Sequence, residues 1–164
     1  MNQTADLTEK TLSREEKYQG SFLSLHVDQV QLPNGRTSFR EVVRHPGGVG
    51  ILALDDEDCA VLVEQYRYVF GRTLLEIPAG KLEPGEDPVA GALRELKEET
   101  GAVPDTFLPM GVTLPSPGCL SERLYLFLAK GLHMESQQLD EDEFLNVERI
   151  PFNEMVHRVM DGET

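Results

Sequence analysis

The chain has 164 residues, which predicts one domain with a single substantial core, and its 15 basic and 29 acidic residues give a formal net charge of −14 at pH 7. Such an acidic surface argues against nucleic acid or an anionic membrane as a partner, because both would repel it. No apolar run approaches the roughly 20 residues of a membrane span, and two cysteines without a signal peptide predict a reduced, cytoplasmic protein.

The chain before residue 47 separates into a polar arm and a predicted β-hairpin. Residues 1–20 are polar and charged with few apolar anchors, which predicts a loose arm. Residues 21–46 contain two strand-like segments on either side of Leu32-Pro33-Asn34-Gly35, a strong turn signal. We expect the main domain in residues 47–164.

Short strands come next, and arginines on two of the predicted strands are candidate phosphate ligands. Residues 49–54 form a buried-type strand, and residues 59–68 form a second one that contains Arg67. Arg40 lies in the preceding hairpin. The planar guanidinium of arginine donates two hydrogen bonds to a phosphate group. The alternative, which residue type alone favours, is that both arginines are solvated on strand faces.

The segment Gly80–Ala102 predicts a helix with a dense acidic face. Asp87 is a good N-cap, Pro88 suits the first helical position, and Gly101 provides a left-handed stop. At about 100° per residue, the helix has an apolar stripe on one side and three carboxylates on the other. The stripe consists of Val89, Leu93, Leu96 and Thr100, and the carboxylates are Glu95, Glu98 and Glu99.

Carboxylates at this spacing repel one another, so the acidic face favours a cationic partner. Arg94, four residues before Glu98, offsets part of the repulsion. Hard oxygen ligands suit Mg²⁺ or Mn²⁺, which would also cancel it. The alternative for an acidic helix face is simple solvation. Gly91, in mid-helix on this side, either makes room for a ligand or a second loop, or is tolerated without a role.

The spacing of residues in this segment distinguishes these alternatives. Gly80 is followed after five free positions by Glu86, and after seven more by Arg94-Glu95-Leu96. One free position then precedes Glu98-Glu99, and another precedes Gly101-Ala102. This pattern resembles the Nudix box of Nudix hydrolases. The resemblance implies hydrolysis of a nucleoside diphosphate that is joined to another moiety.

The Nudix resemblance also implies roles for residues in and beside the box. Glu95, Glu99 and the backbone carbonyl of Ala79 would be metal ligands, with Mg²⁺ as the ion and Mn²⁺ as an alternative. Glu98 would support catalysis beside them. Arg94 would orient these carboxylates and would not contact phosphate.

Further segments resemble the ADP-ribose pyrophosphatases among the Nudix enzymes. These are Arg40-Glu41-Val42-Val43, Glu64-Gln65-Tyr66-Arg67, Leu74–Gly80, and the loop Ser116-Pro117-Gly118 with Ser121-Glu122-Arg123 behind it. The resemblance implies substrate contacts at Arg40, Arg67, Glu76, Gly118 and Glu122. Glu76 is alternatively a residue that braces the box. The adenine-stacking aromatic of this subfamily has no clean counterpart, and Phe22 is the nearest.

An acidic loop spans residues 137–143 and ends in four consecutive acids, residues 140–143. Such a run is usually solvated and mobile. The resemblance nevertheless implies that this loop provides a catalytic glutamate. By position in the pattern, Glu141 would be the general base and Glu143 an additional metal ligand. A small shift in the alignment would exchange these candidates, making Glu143 the base.

The resemblance covers roughly residues 20–163 and implies an α/β Nudix fold, a mixed β-sheet sandwiched between helices, with an added N-terminal antiparallel strand pair. The implied activity is metal-dependent hydrolysis of ADP-ribose to AMP and ribose 5-phosphate. The alternatives are another nucleoside diphosphate sugar, such as GDP-mannose, or a non-catalytic module that binds ADP-ribose. In this subfamily the N-terminal sheet is exchanged between two subunits, so the resemblance also implies a homodimer.

Overall fold

The computed structural model describes residues 5–162 of a chain that divides into two compact units. The first unit takes in the chain up to Pro46 together with Leu114–Arg123. The second takes in Gly47–Thr113 and the chain from Leu124 onward.

The first unit contains a three-stranded antiparallel sheet of β1 (Lys10–Gln19), β2 (Ser24–Gln31) and β3 (Thr37–Arg44), in that order. Strands β2 and β3 form the predicted hairpin. In their connection Gly35 has a φ of 81° and donates its backbone N–H to the carbonyl of Leu32 at 2.9 Å. The left-handed conformation explains why glycine suits this position.

Strand β1 corrects two of the predictions above. Residues 10–19, predicted to belong to a loose arm, pair with β2, so the added sheet has three strands and not two. All ten residues of β1 are exposed. A strand without a buried face has no apolar alternation, which is why the sequence pattern did not reveal it. The first part of the predicted arm, residues 1–4, lies outside the described residues.

The second unit is built on a seven-stranded mixed sheet with two helices. The central order is β10-β5-β4-β9-β8, with β6 beside β5 and β7 beside β4. Strands β4 and β9 are parallel, and the other pairs are antiparallel. The elements are β4 (Gly48–Leu54), β5 (Cys59–Arg67), β6 (Arg72–Glu76), β7 (Ala79–Lys81), α1 (Pro88–Thr100), β8 (Ala102–Thr113), β9 (Leu124–Met134), β10 (Leu145–Pro151) and α2 (Phe152–Asp161).

The two helices cover opposite faces of this sheet, because successive side chains of a strand point to opposite sides. Ile51 of β4 belongs to the same buried cluster as Leu96 of α1. Its neighbour Leu52 packs in a second cluster with Met155 of α2. The predicted mixed sheet sandwiched between helices is therefore confirmed. Within residues 5–162, no helix has the length and apolar character needed to cross a membrane.

Candidate functional site

Helix α1 begins and ends where its sequence predicts. The carboxylate of Asp87 accepts hydrogen bonds from the backbone N–H groups of Val89 and Ala90 at 3.0 and 3.1 Å. Gly101 ends the helix with a φ of 74°, and its N–H donates to the carbonyl of Lys97. These caps satisfy backbone groups that a helix leaves without partners at its ends.

The buried face of α1 differs from the predicted one. Val89 and Leu93, expected in an apolar stripe, are 44% and 37% exposed, although Leu96 and Thr100 are buried as expected. Two of the carboxylates are buried: Glu95 is 8% exposed and Glu99 is 2% exposed. Amphipathic periodicity therefore misassigned this face, because polar residues of α1 turn toward the protein interior.

Two glycines allow the close approach of chain segments around these carboxylates. A β-carbon added to Gly80 of β7 would collide with the carboxylate of Glu95, so glycine lets that carboxylate keep its position against β7. A β-carbon on Gly91 would lie 2.7 Å from Cδ2 of Leu82 and 2.9 Å from Oε2 of Glu86. Of the alternatives for Gly91, the structure supports the approach of a second loop.

Arg94 connects three of the box glutamates. Its guanidinium donates to both carboxylate oxygens of Glu86 at 2.9 and 3.0 Å, to Glu95 at 3.0 Å and to Glu98 at 2.9 Å. These hydrogen bonds raise the pKa of Arg94, those with Glu86 most of all. The pKa of Glu86 is lowered, first by its hydrogen bonds with Arg94. This is the contact pattern expected of an orienting residue.

Glu99 lies where α1 meets β7. One of its carboxylate oxygens, Oε2, accepts a hydrogen bond from the backbone N–H of Ala79 at 2.9 Å. Burial is the main cause that raises the pKa of Glu99, to about 8; this hydrogen bond opposes the shift, and the charges of Glu95 and Glu143 add to it. Burial also raises the pKa of Glu95, against the opposing effect of Arg94.

Arg67 and Glu76, both predicted substrate ligands, bind each other. Nε and Nη2 of Arg67 donate to the two carboxylate oxygens of Glu76, each at 2.7 Å. The charges of Glu99 and Glu143 also raise the pKa of Arg67, although the hydrogen bonds with Glu76 are the largest cause. Arg67, at the end of β5, is therefore a cation whose charge interacts with the carboxylate cluster.

Of the two acidic-loop residues with predicted catalytic or metal-binding roles, Glu141 and Glu143, one interacts with the box carboxylates. Glu143 is half-buried, and its charge affects Glu95, Glu99 and Arg67. Glu141 is exposed. Across residues 5–162, its side chain takes part in no hydrogen bond or ion pair. The structure thus groups Glu143 with the box carboxylates, and the roles of both residues stay predictions.

The remaining predicted substrate residues belong to the first unit. Arg40 is ion-paired with Glu9 and donates to the carbonyl of Phe39 at 2.9 Å. Gly118 lies in an exposed turn. Glu122 lies beside Nδ1 of His45, at 3.6 Å.

Sequence reasoning missed His45. Its ring meets that of Phe22 edge-on, with ring centroids 5.6 Å apart, and its backbone N–H donates to Oγ of Ser121 at 3.0 Å. These contacts join the end of β3 to a loop far away in the chain. No local pattern signals such a contact, although the Ser-Glu-Arg segment marks the loop.

The chemistry of the carboxylate cluster fits a divalent cation. Its ligands are hard oxygens, and a cation would favour the charged form of Glu99, which burial and neighbouring charges otherwise disfavour. Within residues 5–162, however, no group of three or more histidine, cysteine, aspartate or glutamate side chains stands ready to hold a metal. Arg94 engages Glu95 and Glu98, and the Ala79 N–H engages Glu99.

Comparison with known protein families covers nearly the whole chain. The NUDIX domain matches residues 44–163, and the nucleoside diphosphate sugar hydrolase N-terminal domain matches residues 9–43. The second match includes β1, which the sequence pattern did not reveal.

Individual relatives are similar over most of their length. The ADP-ribose pyrophosphatase of Bacillus subtilis (strain 168) is 43% identical over 159 residues, which are 96% of this chain and 86% of that protein. The methanol dehydrogenase activator of Bacillus methanolicus is 44% identical over 163 residues, 95% of this chain and 88% of that protein. A crystal structure of an ADP compounds hydrolase has the same fold, with a TM-score of 0.82 at 22% identity over 96% of this chain and 86% of that one.

Proposed function

This chain belongs to the Nudix family of pyrophosphohydrolases, and on that premise we propose that it hydrolyses ADP-ribose to AMP and ribose 5-phosphate with Mg²⁺ as its metal ion. The observation that carries the proposal is the carboxylate cluster of α1. Glu95 and Glu99 are buried, their charges interact with each other and with Glu143, and Arg94 holds one side of the cluster. Such a site favours a divalent cation that binds a diphosphate.

The choice of ADP-ribose has separate support. The Bacillus subtilis relative bears that activity in its name and is 43% identical over 96% of this chain. The Ser116-Pro117-Gly118 loop, which resembles that of ADP-ribose pyrophosphatases, agrees with it. Another nucleoside diphosphate sugar is the competing substrate within the same chemistry.

The residues that would hold the metal are Glu95, Glu99, Glu143 and the backbone carbonyl of Ala79. A divalent ion bound there would neutralise charge on the diphosphate and lower the pKa of a bound water. Arg94 keeps Glu98 and Glu95 in place from the opposite side. Arg67, fixed by two hydrogen bonds to Glu76, contributes positive charge on the β5 side for an anionic substrate.

Hydrolysis requires a base that removes a proton from the attacking water. The water oxygen forms a bond to phosphorus, the bridging P–O bond breaks, and the departing phosphate takes up the electron pair. We assign the base to Glu141, which is exposed on the acidic loop. Glu143 is the competing candidate because its charge already reaches Glu99.

We propose that the nucleoside site is shared between two copies of the chain. The N-terminal sheet supports this proposal, since all ten residues of β1 are exposed and Tyr18 and Phe39 are 58% and 63% exposed. The first unit would contribute the predicted substrate contacts Arg40, Gly118 and Glu122.

A panel of nucleotide substrates tests the proposed function. The protein is incubated with Mg²⁺ and ADP-ribose, GDP-mannose or a nucleoside triphosphate, and the products are identified by mass spectrometry in water enriched in ¹⁸O. We expect AMP and ribose 5-phosphate from ADP-ribose, with the label showing which phosphorus water attacks. If GDP-mannose is hydrolysed faster than ADP-ribose, GDP-mannose is the preferred substrate and the proposal of ADP-ribose is wrong. Hydrolysis in excess chelator would refute the metal dependence.

A further inference from the structure

The start of the acidic loop, together with Glu135 just before it, is bonded to the C-terminal end of helix α1. The backbone N–H of Gln138 donates to the carbonyl of Glu98 at 2.9 Å, and the side-chain amide of Gln137 donates to the carbonyl of Glu99 at 2.5 Å. The N–H of Glu135 donates to the carbonyl of Gly101 at 2.7 Å. We call these three hydrogen bonds the helix-end clamp.

The helix-end clamp provides hydrogen-bond donors for carbonyl groups at the end of α1. The last carbonyls of a helix have no partner within the helix and require donors from elsewhere. Water or the following residues meet this need at most helix ends. Here the donors come from a segment more than thirty positions later in the chain, and one of them is a side chain, that of Gln137.

The two residues whose carbonyls are held, Glu98 and Glu99, are themselves box carboxylates. Glu98 binds Arg94 through its side chain, and Glu99 accepts from the Ala79 N–H. Each is therefore fixed at its backbone by the helix-end clamp and at its carboxylate by a second group. The side chain of Gln137 therefore ties the acidic loop to the end of the helix from which both carboxylates project.

The clamp also fixes where the acidic loop starts. The loop is bounded at its other end by β10, whose first residue, Leu145, pairs with Gln65. Between these anchors the N–H of Glu143 donates to the carbonyl of Asp140 at 3.0 Å. These contacts restrict the position of Glu143, whose negative charge acts on Glu99.

We propose that Gln137 is a positioning residue: its side-chain amide ties the acidic loop to the last turn of α1 and thereby places Glu143 beside the box carboxylates with which it would share a metal ion. This inference rests on the proposed function, since it assigns a purpose to the loop of that same site. Gln137 does not contact the substrate in this role. It acts through Glu143.

The test replaces Gln137 by methionine, which keeps the length of the side chain and removes the donor. We expect Gln137→Met to lower kcat and to weaken Mn²⁺ binding, measured by electron paramagnetic resonance without substrate, by about 10- to 100-fold. Gln138→Met is the matched control, because Gln138 takes part in the clamp through its backbone only. Gln137→Glu, which also lacks the donor at neutral pH, should behave like Gln137→Met.

A double-mutant comparison separates positioning from a merely structural role. If Gln137 acts through Glu143, then Gln137→Met should cause little further loss of Mn²⁺ affinity in a Glu143→Gln background. Losses that multiply in the double variant, or wild-type Mn²⁺ affinity in Gln137→Met, would overturn the proposal. Because Mn²⁺ binding is read without substrate, this result is independent of whether ADP-ribose is hydrolysed.

Discussion

The backbone N–H of Ala79 donates a hydrogen bond to Oε2 of Glu99 at 2.9 Å, and this contact joins strand β7 to the acidic face of helix α1. In the Nudix resemblance both residues are predicted metal ligands, Ala79 through its backbone carbonyl and Glu99 through its carboxylate. Glu99 is only 2% exposed, so its ionised form requires a compensating positive charge from a protein group or a bound cation.

Glu99→Gln should abolish most of the activity while the fold persists. The amide keeps the shape of the side chain but removes the negative charge that would bind the metal. We expect kcat to fall by ~100-fold or more, measured with ADP-ribose at saturating Mg²⁺. Glu135→Gln is the control, since Glu135 is exposed and pairs with Lys97 at the surface. Normal turnover by Glu99→Gln would exclude a ligand role.

The stability of the metal-free protein should decrease as the pH rises from about 4.5 to about 8. Glu99 keeps its proton in the folded state up to a pKa of about 8, whereas an unfolded glutamate loses it near ~4.3. In this window the unfolded state binds fewer protons, so a higher pH lowers the free energy of unfolding. Other carboxyls also titrate, and for this reason the comparison is made between variants.

Urea unfolding at several pH values, in the presence of a chelator, measures this effect. Glu99→Gln should reduce the slope of unfolding free energy against pH, and Glu135→Gln should leave it as in the wild type. An unchanged slope in Glu99→Gln would show that the buried carboxylate is not the group responsible.

Arg94→Lys should destabilise the protein and lower kcat. A lysine cannot make the paired hydrogen bonds to Glu86 while also donating to Glu95 and Glu98. We expect a loss of about 1–3 kcal/mol in the free energy of unfolding, measured by urea denaturation. Arg158→Lys is a matched control: Arg158 also forms an i,i+4 pair, with Glu154, but at an exposed position. Equal small effects of both changes would argue against an organising role for Arg94.

Substitutions of single acids in the acidic loop distinguish the general base from the metal ligand. If Glu141 is the base, Glu141→Gln should lower kcat by about 10²–10⁴-fold with KM nearly unchanged. Asp142→Asn should be close to neutral. Glu143→Gln should raise the metal requirement and recover in part at high Mg²⁺, as expected for a lost ligand. If Glu141→Gln retains near-normal kcat at saturating metal and Glu143→Gln does not recover, Glu143 is the base.

The N-terminal sheet should be needed for assembly and substrate binding. Deletion of residues 1–45 should yield monomers with weaker substrate binding, measured by analytical ultracentrifugation and by KM. Circular dichroism on the deletion variant checks that the remaining sheet is folded. A full-length protein that sediments as a monomer and still hydrolyses ADP-ribose efficiently would contradict the shared site.

Features that depend on neighbouring residues could be predicted from the amino-acid sequence. Asp87 and Gly101 predicted the ends of α1, because caps act within one turn of the helix. The turn ending at Gly35 predicted the hairpin of β2 and β3. The spacing of the box residues identified the family, which the domain matches confirm.

Burial of individual side chains and contacts between distant segments became known from the three-dimensional structure. Periodicity indicated Val89 and Leu93 as part of the buried face, yet Glu99 is buried, where its carboxylate accepts a hydrogen bond from a distant backbone N–H on β7. Strand β1 has no buried face, so backbone pairing alone defines it. The bond between Gln137 and Glu99 spans 38 positions. Such contacts depend on how the chain folds back on itself, and local residue patterns carry no information about that.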